Sequence, residues 1–131
     1  MLAQMGDTMT SEAPEEAEAT AALARMREMS ADLRGCAILA ADGRVLAASG
    51  DADRWGRAGA ELLEAADSAR GEPVARVHVA TADGEAFGLR EGGLAMVTVA
   101  DRFTLASLML FDMRAVLRDL AAALKPAAGG T

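Results

Sequence analysis

A three-layer α/β sandwich in the order α-ββ-α-βββ-α, with a five-stranded antiparallel sheet of order 2-1-5-4-3, is the fold class that the sequence predicts. Three observations predict it. Asp42-Gly43 and Asp83-Gly84 each lie between short apolar runs, the composition of a two-residue hairpin whose central positions take positive φ. A stretch with helical apolar spacing separates the two pairs, and further helical stretches precede the first and follow the second. Residues 36–41 (CAILAA) and 94–100 (LAMVTVA) are apolar on both faces, which places them in the middle of a sheet covered on both sides.

Residues 1–13 are small, polar and aperiodic, and read as a flexible N-terminal tail. Ser11 is placed to cap a helix with Pro14 in its first turn and Glu15, Glu16 and Glu18 near its positive end. Ala22, Met26, Met29 and Leu33 recur at three- and four-residue spacing, so the first helix is expected over about 14–33, ended by Gly35. The methionines of this helix and the last (Met26, Met29, Met109, Met113) are expected to fill the core. Strand one is 36–41. Asp42-Gly43 turns the chain into strand two, 44–49, which Gly50 breaks. Asp51 or Asp53 caps a second helix over about 53–69, with a sheet-facing stripe of Trp55, Ala58, Leu62, Ala66 and Ala69. Arg57, Glu61, Glu64 and Ser68 project from the opposite face, and Leu63 sits on the flank.

Gly71 and Pro73 stop that helix, and 74–81 follows as strand three, in which Ala75, Val77 and Val79 alternate with Arg76 and His78. Strand four carries Phe87 and Leu89, Gly92-Gly93 makes a tight turn, and strand five runs over 94–100. The last helix is expected over 101–124, with a stripe of Leu105, Leu108, Met109, Met113, Val116, Leu117, Leu120 and Leu124. A single domain over 14–124 results, followed by a short tail at 125–131. Strand three, with Pro73 at its start and one polar face, suits an edge. Hairpin connections then leave only the order 2-1-5-4-3. The second helix must carry the chain from one edge to the other. Four strand gaps span ~19 Å and about 15 helical residues span ~22 Å, so it lies across one face and the other two helices share the opposite face.

Hydrophobic residues make up 52% of the 131, enough for a real core, but aromatics are only 3%, so Leu, Met, Val and Ala do the filling. A net charge of −7 argues against nucleic acid and against anionic membranes, both of which select Lys and Arg clusters. The single Cys36 excludes an internal disulfide and a cysteine-based metal cage. No apolar run reaches the ~18 residues of a spanning helix, and the N-terminus lacks the pattern of a signal peptide. A cytoplasmic protein is the expectation. Neither GxxxxGK[ST] nor GxGxxG occurs, and His78 is the only histidine, with no nucleophile matched to it. No enzymatic activity, cofactor or metal is expected.

In the stretches GCAILAADGRVLAASG (35–50), RWGRAGAELLEAAD (54–67), VARVHVATADGEAFGLREGGLAMVTVADRF (74–103) and LASLMLFDMRAVLRDL (105–120), the chain resembles the roadblock dynein light-chain family and its MglB-like bacterial members. The resemblance covers about Ala22 to Leu120. It implies a homodimer in which strand three pairs across a two-fold axis into a ten-stranded sheet, with the second helices side by side. It also implies that the paired helices form a platform for a small Ras-like GTPase.

Leu63, Ala66 and Arg70 are then expected at the contact between second helices, and Val74, Arg76, Val77, His78 and Val79 at the pairing edge. Arg54, Arg57, Glu61, Glu64 and Ser68 are expected on the partner-binding face. Arg54 and Arg57 are the only candidates for an arginine finger, so acceleration of hydrolysis would come from ordering the GTPase's own residues. Trp55 is expected as a core anchor. The rivals are an adaptor for a non-GTPase signalling or motor component, and a small-molecule sensor of PAS or GAF type, which needs a cavity with polar groups inside.

Overall fold

The computed structural model describes residues 13–125, so the proposed Ser11 cap and nearly all of both tails lie outside the described residues. The elements are α1 (Ala13–Met29), β1 (Leu33–Ala40), β2 (Val45–Ala48), α2 (Ala52–Arg70), β3 (Arg76–Ala80), β4 (Glu85–Glu91), β5 (Leu94–Ala100) and α3 (Ala106–Leu124). The sheet is antiparallel with order β2-β1-β5-β4-β3, as the burial argument required.

The two faces are unequal. On one, α1 and α3 cover a large core of Ala22, Met26, Ile38, Phe87, Leu89, Met96, Met113 and Leu117, among others. On the other, α2 alone covers the sheet, its Leu63 packing with Leu39, Ala95 and Val97, with Val45, Trp55, Leu62 and Val77 at the margin.

Several sequence expectations need correction. The first helix ends at Met29, not near 33: Leu33 pairs with Ala100 and Gly35 with Val99, so the stretch read as helix end belongs to β1. Gly35 is not a stop signal. A Cβ there would lie 2.8 Å from Trp55 Cζ2, so the glycine makes room for the indole, whose Nε1 donates to the Ser49 carbonyl at 3.2 Å. Met29, expected in the core, is 46% exposed, because the buried stripe of α1 is Ala19, Ala22, Leu23 and Met26.

The turn chemistry is also redistributed. Gly43 takes positive φ (91°), but Asp42, Asp83 and Gly84 do not. The first hairpin closes with Ala40 N–H on the Arg44 carbonyl and a register irregularity at Ile38/Leu39. The second is held by Thr81, whose Oγ1 accepts from the N–H groups of Asp83 and Gly84. The pair with both residues at positive φ is Gly92-Gly93 (61° and 81°), the geometry that the twist of a two-residue hairpin favours.

The last helix starts at Ala106 rather than 101. Leu105 and Leu108, read as core, are 64% and 54% exposed. Met109, Met113, Val116, Leu117 and Leu120 are the buried face.

The wheel of α2 is rotated from the expected one. Asp51 caps it through Asp53 and Arg54 N–H, and Gly71 closes it in the left-handed conformation. Its buried residues are Gly59 and Leu63, while Ala58 and Ala69 are exposed. Glycine is the reason: a Cβ on Gly59 would meet Leu39 Cδ1 at 3.1 Å and Val97 Cγ2 at 3.3 Å, and one on Gly56 would meet Val45 Cγ2 at 3.0 Å. Two side-chain-free positions define the approach surface, and an apolar-residue count overlooks them.

This packing is testable. Gly59→Leu introduces a better helix former but forces side-chain atoms between α2 and the sheet, and is expected to destabilise by about 1–3 kcal/mol in a denaturant titration. Glu61→Gln, two residues along on the exposed outer face, is expected to stay within about 0.5 kcal/mol of the parent.

Candidate functional site

The sheet has two edge strands, β2 and β3, and β3 pairs only with β4 among the described residues. Thr81 N–H bonds to the Gly84 carbonyl and Arg90 N–H to the Ala75 carbonyl. With the register Arg76↔Leu89, His78↔Phe87 and Ala80↔Glu85, these bonds make Arg76, His78 and Ala80 the non-hydrogen-bonded positions of the pair. Their backbone N–H and C=O groups therefore point outward, and Val77 and Val79 point theirs at β4. An edge with outward donors and acceptors, no lysine and no bulge is a template for another strand.

The strand's side chains divide by face. Val77 is half-buried against the α2 cluster, whereas Val79 is 40% exposed on the same face. On the other face the His78 ring stacks on Phe87, with centroids 4.5 Å apart and planes within 4°. Its Nε2 lies 2.6 Å from Glu85 Oε1. Glu85, only 8% exposed, uses its second oxygen to accept the Phe103 N–H at 2.6 Å. His78 is thus held by one aromatic ring and one carboxylate, not simply solvated.

On α2 the predicted outer residues Arg54, Arg57, Glu61, Glu64 and Ser68 are all exposed. They share one face and have no ion-pair partner among the described residues. Leu63, expected at a helix-to-helix contact, is instead 6% exposed and packed into the sheet-side cluster, because the glycine face turns it inward. Ala66 and Val74 are half-buried, and Arg70 is exposed beside Glu72 at 3.7 Å.

What the sequence reading missed is a lateral flank of α2. Ala58, Leu62, Ala65 and Ala69 follow 4-3-4 spacing on one side of the helix, with the three alanines exposed and Leu62 half-buried. The 4-3-4 spacing is visible in the sequence, but the expected stripe assigns three of these four residues to the sheet.

That flank borders uncovered sheet. Val79↔Ala86, Ala86↔Val99 and Val99↔Gly35 form one cross-strand row on the α2 face. Ala86 and Val99 are half-buried and Val79 is exposed. A cleft of about 450 Å³ opens there between Val99, Ala58, Trp55, Arg54 and Arg34. On the other side of α2 a second cleft, about 510 Å³, lies against the Asp42-Gly43 and Gly92-Gly93 turns. Both are open to solvent, unlike the enclosed polar cavity of a small-molecule sensor.

The C-terminal end of α2 is clamped. Arg90 gives two hydrogen bonds to the Asp67 carboxylate, at 2.8 and 3.0 Å, and a third to the Val74 carbonyl, while Val74 N–H donates to Asp67 at 2.9 Å. The Arg90 hydrogen bond, with Val74 second, holds the Asp67 carboxyl below its usual range, and the same bond pushes the Arg90 guanidinium upward. This clamp ties the α2–β3 connection to β4.

Burial pushes the Cys36 thiol up to about 11, and its side chain is wholly inaccessible. Among the described residues no group of three or more His, Cys, Asp or Glu side chains is placed to hold a metal ion, and no helix is long and apolar enough to cross a membrane.

The arrangement is known from solved structures. A roadblock/LC7 domain from Streptomyces avermitilis superposes with a TM-score of 0.69 at 18% identity, covering 80% of this chain and 96% of that one. The gliding protein MglB from Thermus thermophilus gives 0.68 at 15% identity, covering 82% and 89%. A structure described as a LokiProfilin2–rabbit actin complex gives 0.57 at 10% identity, covering 78% and 94%. No family model and no curated protein matches the chain. The chain has the roadblock/MglB-like fold, which at these identities is a statement about architecture.

The clamp carries a pH prediction. A carboxyl depressed in the folded state contributes stability that is present above its unfolded pKa, about 3.9, and that is lost as pH falls through the folded value. Urea midpoints are therefore expected to fall on acidification below about pH 4 in the parent, and to fall less in Asp67→Asn, which lacks that titration. Equal slopes for the two would remove Asp67 from the acid limb.

Proposed function

We propose that this chain is a non-catalytic homodimer that regulates or scaffolds a small Ras-like GTPase through a platform of paired α2 helices. The observation that carries the reading is the unfinished α2 face. One helix covers only part of the sheet there, its lateral flank is lined by Ala58, Leu62, Ala65 and Ala69, and the row Val79–Ala86–Val99 beside it ends at an edge strand.

Pairing β3 with its two-fold mate, through the outward groups of Arg76, His78 and Ala80, would bring the mate's α2 alongside. Small residues on the flank would let the two helices approach to about 8–10 Å. The helix contact then passes through the alanine flank with Arg70 and Ala66 at its margin, rather than through Leu63. Arg54, Arg57, Glu61, Glu64 and Ser68 of both copies would face the partner together. Their mixed charges would set orientation and association rate more than total affinity. The roadblock/MglB-like fold and the sequence resemblance support a GTPase as that partner. The actin-bound profilin with the same fold supports the rival adaptor reading, since one architecture serves several partners.

Two measurements test the proposal. Arg76→Pro with Ala80→Pro removes two outward N–H groups without touching a β4 bond, and is expected to halve the mass measured by light scattering. An unchanged mass would dissociate β3 from self-association. Titration against a Ras-like GTPase of the same organism, loaded with a GTP analogue, is expected to show a complex that Glu61→Lys with Glu64→Lys weakens about tenfold. Absence of any complex with such a GTPase would pass the proposal to the adaptor reading.

A further inference from the structure

Across the sheet from α2, the start of α3 displays an apolar surface. Phe103 is 84% exposed, Leu105 64%, Leu108 54% and Phe111 68%. The chain has only three phenylalanines, and two of them stand in solvent here. Leu105, Leu108 and Phe111 are spaced i, i+3, i+6, so they are neighbours along one side of the first turns of α3.

Phe103 is held out by the loop that carries it. It has φ of 66°, a conformation that a bulky residue adopts only when its surroundings impose it. The imposing group is the buried Glu85, which accepts its N–H, and the Arg102 guanidinium lies 4.7 Å over its ring. A strained, anchored and exposed aromatic beside an arginine has the composition of an interface centre.

We infer that this patch is a second self-association surface, in which two copies meet face to face about a two-fold axis. Area and charge select a second copy as the occupant. The four side chains expose on the order of 500 Å², so an isologous contact would remove roughly 1,000 Å² together with its rim, the lower bound for a specific interface. The rim carries both signs. Arg102 and Asp112 have no ion-pair partner among the described residues, and a two-fold axis between them sets each opposite the other's mate. A lipid surface lacks that pattern, and the net charge of −7 opposes an anionic one. With two isologous contacts on one chain, dimers joined at β3 join again through α3, into a closed tetramer or a filament. Glu85 touches both surfaces, through His78 on the edge strand and Phe103 in the patch.

The test is light scattering of the full chain across a concentration series, in the parent and in the edge-blocked Arg76→Pro/Ala80→Pro background. The edge-blocked protein is expected to remain a dimer at high concentration, and to become a single chain when Leu108→Asp and Phe111→Asp are added at these exposed positions. In that background Arg102→Asp or Asp112→Arg alone is expected to weaken the dimer about tenfold, since each change counts twice, and the double swap to restore most of it. Circular dichroism confirms that the variants fold. An edge-blocked protein of single-chain mass at every concentration would overturn the patch contact and leave the β3 dimer standing. A double swap no tighter than the single changes would also overturn it, and the patch would then belong to a different protein or to a membrane. A parent of single-chain mass would overturn both contacts.

Discussion

Close seating of α2 on the sheet is the constraint on which the rest of this structure depends. The helix crosses from beside β2 to beside β3, and it reaches the sheet because Gly56 and Gly59 present no side chain to Val45, Leu39 and Val97. That choice of face turns Leu63 inward and the charged residues outward, and it leaves Ala58, Leu62, Ala65 and Ala69 facing sideways. The Asp67–Arg90 pair fixes the far end, so the connection to β3 is held where the edge strand begins. A helix seated one residue differently around its axis would bury the alanines and expose Leu63, and the lateral flank would not exist.

The two faces of the sheet divide the work. Beneath α1 and α3 the core is deep and finished, with Met26, Ile38, Phe87, Met96 and Met113 all inaccessible. Aliphatic and sulfur side chains fill it almost alone, which follows from a composition so poor in aromatics. The α2 face is thin, and its uncovered row runs out to the open strand. The larger core therefore lies on one face, while the α2 face buries a smaller cluster and leaves Val79, Ala86 and Val99 partly uncovered. Apolar surface left beside an open edge is the form that association surfaces take.

Edge, loop and last helix are also connected through one carboxylate. Glu85 begins β4, accepts from His78 on the edge and from Phe103 in the loop before α3. Arg34 reinforces the same corner: it pairs with Asp101 at 3.1 Å and donates to the carbonyls of Asp83 and Ala100, filling the space that glycine at 84 leaves. The Glu85 carboxylate is buried at this junction, so both of its oxygens must find partners there and its geometry is narrowly defined.

Much of the architecture was legible in the chain. Doubly apolar strands declared themselves central, a proline-led strand with one polar face declared itself an edge, and helix length set against sheet width placed α2 across it. These follow from period and burial, which are local properties of residue type. The register of side chains on the helices was less legible. Met29, Leu105 and Leu108 fit a helical repeat but lie outside the buried stripe, because an apolar period does not say where the covering surface ends. Gly35 reads as a helix stop, and Gly56 and Gly59 carry no apolar signal, yet all three are points of close approach, a role that exists only relative to a partner surface. The sequence by itself determined the order of elements, the sheet and its free edge, since each is written in hydrophobic period and turn residues. Only the tertiary structure decided which side of α2 is spare, that Glu85 binds both His78 and the Phe103 loop, and that two phenylalanines stand in solvent. Those facts depend on distances between segments far apart in the chain, which no local pattern encodes.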